Sequence, residues 1–137
     1  MDQINVFAVL AAAASSFLLG GFWYSSALFG PSWGRANGIV TTGTEPTLAS
    51  QGHPARVFVL SFGFALVAAT CFGFLVGPQP TLPHALTQAV IVGAGLVAAS
   101  FGINYQFANR TLTLWLIDGG YHVAQFVLFG VVLGVWP

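Results

Sequence analysis

Asp118, His122 and Gln125 stand in a segment otherwise composed for lipid, LTLWLIDGGYHVAQFVLFGVVLGVW at 112–136. They fall at i, i+4 and i+7, so a helix places all three on one face. An acid, an imidazole and an amide in a row can bind a cation, accept and pass a proton, or hold a small polar solute. A charged acid at the centre of a membrane helix costs about 2.5 to 3.5 kcal/mol on insertion scales, so this row is expected to turn inward and find partners. Gly119 and Gly120 beside the acid permit a close helix crossing or a local unwinding that frees carbonyls.

The preceding apolar segment can supply the partners. Folding it back through a tight turn at 107–111 pairs Asn104 with Trp115 and brings Ser100 near Asp118, and Ser100 and Asn104 are themselves i, i+4. Arg56 and Arg110 start at the same membrane face and can reach inward as counter-ions; Arg56 is favoured because Arg110 sits in the turn and can escape to water. The expected intramembrane polar pocket is therefore Asp118, His122, Gln125, Tyr121, Asn104 and Ser100. Trp23, Tyr24, Trp33 and Trp115 would wall its cytoplasmic mouth. His53, His84 and His122 fall at three different depths, which argues against a shared metal ion. Nucleophile motifs, phosphate-binding glycine loops and haem-type histidine pairs are absent, so neither enzymatic activity nor a cofactor is expected.

These residues need a membrane bundle to position them. The chain has 137 residues, of which 56% are hydrophobic, 15% aromatic and 4% charged, with a mean hydropathy of +0.84. A soluble surface is normally about a quarter to a third charged, which excludes a soluble globule. The net charge is zero, so nucleic acid has no basic patch to grip. A hydrocarbon core needs roughly 20 apolar residues per helix. Four windows satisfy this, at about 4–29, 55–76, 84–106 and 112–136. The expected fold is an all-α, up-down bundle of four transmembrane helices in one domain, 1–137. Gly30-Pro31 is expected to end the first span, His53-Pro54 to open the second, Gly77-Pro78 to end it, Pro83 to open the third, and Thr111 to cap the fourth.

Arg35, Arg56 and Arg110 all fall on one side of this topology. The positive-inside rule then makes the loops at 30–54 and 107–111 cytoplasmic and puts both termini outside. The N-terminal segment MDQINVFAVLAAAASSFLLGG lacks a basic n-region and reads as a retained helix. Cys71, the single cysteine, lies in an apolar run and reads as packing material. The loop from 30 to 53 reads as a flexible connector. Stripes of small residues, Gly73-x-x-x-Gly77, Ala94-x-x-x-Ala98-x-x-x-Gly102 and Gly130-x-x-x-Gly134, allow close backbone approach. A lone bundle of this size buries little surface, which favours a homo-oligomer or incorporation in a larger membrane complex, with lipid around it.

Three motifs, GGFWYSSALFGPSW at 20–33, FGINYQF at 101–107 and LWLIDGGYHVAQF at 114–126, together resemble a bacterial inner-membrane family catalogued as domain of unknown function 1761. The matching residues are Trp23, Tyr24, Ser25, Leu28, Phe29, Gly30, Trp33, Asn104, Tyr105, Gly120, Tyr121 and His122. The resemblance extends over nearly the whole chain except about 36–53 and implies small four-span proteins of the inner membrane. A proline commonly follows Trp-Tyr-Ser in that family, whereas Ser26 stands here. The family implies no activity.

Two functions fit these residues. The first is a small oligomeric membrane protein whose polar pocket binds or passes a small solute or proton, with Asp118 as the binding group and His122 as relay. The second is a structural or accessory subunit that docks onto a larger membrane complex, with pigment or lipid between them.

Overall fold

The computed structural model describes residues 4–38 and 54–137. Among these residues every regular element is helical: α1 (Val6–Trp23), α2 (Gly30–Ala36), α3 (Pro54–Val76), α4 (Leu82–Val90), a π-helix (Ile91–Ala98), α5 (Ala99–Phe107) and α6 (Leu112–Val135). The α4, π and α5 segments run on as one element, so four helices are long and apolar enough to cross a membrane: Val6–Trp23, Ala55–Val76, Leu82–Phe107 and Leu112–Val135. This is the expected four-helix, multi-pass membrane architecture.

Local chemistry sets the boundaries. The Asn5 Oδ1 accepts from the Ala8 N–H at 3.1 Å, and the Thr111 Oγ1 accepts from the Leu114 N–H at 3.2 Å, so each side chain satisfies one orphan donor of a helix start. Pro83 sits in the first turn of α4 behind the N-cap Thr81, where its missing N–H costs nothing. Asn109, with φ 51°, closes the turn into α6, and the Arg110 N–H donates to the Tyr105 carbonyl at 2.8 Å. The expected start at His53 lies outside the described residues.

The first span ends earlier than its hydropathy suggests. Helix α1 stops at Trp23, because the chain finds other partners for the last carbonyls: the Ser25 hydroxyl donates to Phe22 O at 2.7 Å and the Phe29 N–H to Trp23 O at 3.0 Å. Gly30-Pro31 then opens α2, with the proline in its first turn, rather than closing α1. Gly30 is required there, since a Cβ would stand 2.5 Å from the carbonyl oxygen of Tyr24.

Helices α1 and α6 form the middle of the molecule, with α3 packed on α1 and the third span packed on α6. The core is thin and rich in alanine: Ala8, Val9, Ala12 and Ala13 of α1 meet Ala65, Ala69, Phe72 and Val76 of α3, Ala85 and Ala89 of α4, and Phe126, Phe129 and Leu133 of α6. Lipid tails are as apolar as these side chains, so close approach and dispersion hold the helices rather than exclusion from water. Gly130 lies where a Cβ would be 2.9 Å from the Ala85 carbonyl oxygen, and Gly134 where it would be 2.9 Å from the Leu82 Cα. That stripe seats α4 on α6. In the other stripes, Gly73 faces Ile4, Gly102 faces Trp115, and Gly77 ends α3 with φ 77°. Ala94 is exposed, so it takes no part. Cys71 also lies on the exposed face of α3 instead of in the packing, because the neighbouring Phe72 takes the inward position.

Candidate functional site: an acid held by two phenols and an indole

Asp118 is 8% exposed, in the first third of α6. Its Oδ1 accepts from the Tyr24 hydroxyl at 2.7 Å and from the Trp33 indole N–H at 3.1 Å. Its Oδ2 accepts from the Tyr105 hydroxyl at 2.6 Å. The three donors come from the turn after α1, from α2 and from α5, so one side chain ties three elements to α6. Phenols and indoles carry their donor at the tip of an apolar ring, which suits membrane depth. A carboxylate is an acceptor only, and three donors match it. Tyr24 lies past the end of its span; burial first, then the hydrogen bond to Asp118, push its phenol well above its ordinary range, so it remains a donor.

Further aromatic contacts lock this frame. The Trp23 indole donates to Ile117 O at 3.0 Å, and its six-membered ring would meet a Cβ on Gly120 at 3.3 Å. The Trp115 indole donates to Ala98 O at 2.8 Å. The Tyr121 hydroxyl donates to Ser16 O at 3.2 Å. Tyr121 also stands 5.5 Å from the Tyr24 ring and 5.1 Å from His122, which in turn lies 4.8 Å from Phe101. Replacing Trp23 or Trp115 by phenylalanine removes one bond to a backbone carbonyl. Each change is expected to lower stability by about 1 kcal/mol, read as a shift of the unfolding midpoint in detergent.

The polar row of α6 resolves into two nodes. Asp118 and Gln125 are buried and His122 is half-buried. The His122 Nδ1 and the Gln125 Oε1 are 2.9 Å apart, so the imidazole is paired along its own helix rather than with the acid. With the amide oxygen facing it, Nδ1 of a neutral ring carries the proton and Nε2 keeps its lone pair. The chain stays helical through Gly119 and Gly120: they serve as a tight crossing, with Ala98 Cβ at 3.3 Å from the Cβ position of Gly119, and not as an unwound segment.

Several expected partners stand elsewhere. Ser100 and Asn104 are exposed, and Tyr105 takes the place at Asp118 that spacing assigned to them. The π-helix is the reason. From Ala85, Ala89 and Gly93, an unbroken α-helix would bring residues 97, 101 and 104 to the α6 side. The wider turn inserts an extra residue, and Ala98, Gly102 and Tyr105 arrive there instead. Arg56 and Arg110 are exposed and give Asp118 no counter-ion; its partners among the described residues are neutral. Tyr24 and Trp33, expected at a mouth, grip the acid directly, whereas Trp23 and Trp115 bond to backbone. A cavity of ≈ 200 Å³ opens at the other end of the bundle, beside Asn5, Gly77, Gln79 and Trp136.

The family model described as Protein of unknown function (DUF1761) matches residues 7–134. The chain belongs to this family. No curated protein and no solved structure matches it. For this DUF1761 chain the matched span takes in every residue of the acid node, from Tyr24 to Asp118.

Proposed function

We propose that this chain takes up and releases a proton at Asp118 as a small, non-enzymatic membrane protein. The observation that carries the reading is a buried intramembrane carboxylate held by three neutral donors, with no cation beside it among the described residues. An arginine in that place would add a second charge that cannot be lost. Three neutral donors answer the carboxylate without placing another charge beside it. The rings of Tyr24, Trp33 and Tyr105 stand directly against the acid, which favours a proton over a bulkier solute. Tyr121 and His122 continue the ring contacts along α6, while their own hydrogen bonds go to Ser16 O and Gln125 Oε1.

Reconstituted vesicles loaded with a pH-sensitive dye test this. Under an imposed potential the wild type is expected to acidify the lumen above the leak of empty vesicles, and Asp118→Asn to fall back to that leak. Equal flux in both would overturn the proposal. The alternative, an accessory or oligomeric subunit, draws on the open arrangement of the spans: α3 and the third span scarcely touch, and Phe58, Phe64 and Phe74 of α3 stand exposed. Native purification with a single large partner, together with absent flux, would favour it.

A further inference from the structure

A π turn is wider than an α turn, is rare beyond a single bulge, and concentrates at functional sites. In this chain it runs for eight residues, Ile91–Ala98, inside the third span. Its consequence is that the span carries two inward faces that cannot both be used. The observed one presents Ala98, Gly102 and Tyr105 to α6; the uninterrupted helical one, shorter by the inserted residue, would present Val97, Phe101 and Asn104. The observed register turns the Asn104 amide outward, where it has no hydrogen-bond partner among the described residues. Three contacts hold it: Gly93 against the α6 backbone, with a Cβ position 3.0 Å from the Val123 Cα, the Trp115 indole on Ala98 O, and the Tyr105 hydroxyl on Asp118.

Resting on the proton reading of Asp118, we propose that the third span exchanges between this π register, with Tyr105 on the ionised acid, and an α register, with Asn104 on the protonated one. A phenol suits a carboxylate because it donates. A protonated carboxyl has one hydrogen to give and one oxygen to fill, and an amide answers both. Closing the π turn rotates α5 by one residue, about 100°, which withdraws Ala98 O from Trp115 and Tyr105 from the acid. The titratable or charged groups on the surrounding elements are Tyr24 beyond α1, Arg35 on α2, Tyr105 on α5, Arg110 in the next turn, and Tyr121 and His122 on α6. Of these, Tyr105 alone belongs to the segment that turns and touches the acid.

Fluorine NMR of the full chain in lipid nanodiscs, with 3-fluorotyrosine at its three tyrosines and assignment by Tyr→Phe variants, tests the exchange. On acidification the Tyr24 resonance is expected to shift, reporting protonation of Asp118, and a second Tyr105 resonance to appear and grow. Asp118→Asn, as a mimic of the protonated acid, is expected to show that second resonance at neutral pH. Deleting Gly95, whose Cβ position meets nothing within 4 Å, removes the extra residue and leaves one Tyr105 resonance at every pH. Asn104→Leu, a change on the exposed face, is expected to suppress the second resonance without altering the fold. A single Tyr105 resonance while the Tyr24 resonance shifts would overturn the exchange and leave the proton reading intact. A second resonance that survives both the deletion and Asn104→Leu would also overturn it. A Tyr24 signal that never moves would remove the proton reading, and the exchange with it.

Discussion

Asp118→Ala is expected to destabilise the protein by about 3 to 5 kcal/mol, the range for breaking a buried polar assembly by deleting one partner. The loss is not that of one side chain. Removing the carboxylate strands the Tyr24 hydroxyl, the Trp33 N–H and the Tyr105 hydroxyl together, in surroundings with little water to replace the acceptor. Asp118→Asn keeps one acceptor oxygen but aims an NH₂ at a donor, so its loss should be intermediate. The measurement is unfolding in mixed detergent, followed by circular dichroism. A thermodynamic cycle makes it specific: Tyr105→Phe should cost about 1 kcal/mol or more in the wild type and close to nothing in the Asp118→Ala background. An Asp118→Ala protein as stable as the wild type would mean that the three donors find other partners, and the node would not be what holds α2 and α5 to α6.

Most of the fold was readable because membrane depth imposes long apolar runs and leaves punctuation only at their ends. Pro83 and Thr111 mark helix starts through ordinary capping chemistry, and Gly77, held at a positive φ, marks a helix end. The end of α1 was not readable in this way. Tyr24 to Phe29 hold no charge and no proline, so the window runs on through them, and only the hydrogen bonds of Ser25 and the backbone crowding at Gly30 break the helix. The inward turn of Asp118 followed from the cost of an acid in lipid, but its partners did not. Spacing counts residues at the α period, and the π-helix adds one that no local residue type announces, so Ser100 and Asn104 were expected where Tyr105 stands. A signal was nevertheless present. Tyr24, Trp33 and Tyr105 all lie in the segments that carry the family resemblance, and each is an aromatic ring with a donor at its tip, the side-chain type best suited to satisfy an acid without bringing a charge into lipid.

Gly30→Ala is expected to detach α2 from the bundle, with a loss of about 3 kcal/mol: strain of the overpacking kind plus the hydrogen bonds that go with the turn. A Cβ at this position would lie 2.5 Å from the Tyr24 carbonyl oxygen, 2.7 Å from that of Ser25 and 2.9 Å from the Ser25 carbonyl carbon. All three are backbone atoms, so no side chain can rotate away and the turn itself must open. Opening it breaks the Gly30 N–H bond to Ser25 O and the Phe29 N–H bond to Trp23 O, each 3.0 Å in length, and carries Trp33 off Asp118. Gly21→Ala and Gly34→Ala are the controls, because a Cβ at either site meets nothing within 4 Å and alanine favours helix by up to about 1 kcal/mol. Limited proteolysis of residues 24–38 in nanodiscs, alongside detergent unfolding, separates the outcomes: rapid cleavage and a lowered midpoint for Gly30→Ala alone are expected. Were Gly30→Ala as protected as Gly34→Ala, the turn would be able to rebuild around a side chain, and Trp33 would reach the acid without it. The same variant also separates grip from chemistry. Tyr105 and Asp118 are untouched by the substitution, so proton uptake should survive while α2 comes loose, which makes α2 a part that the acid holds rather than one that the acid needs.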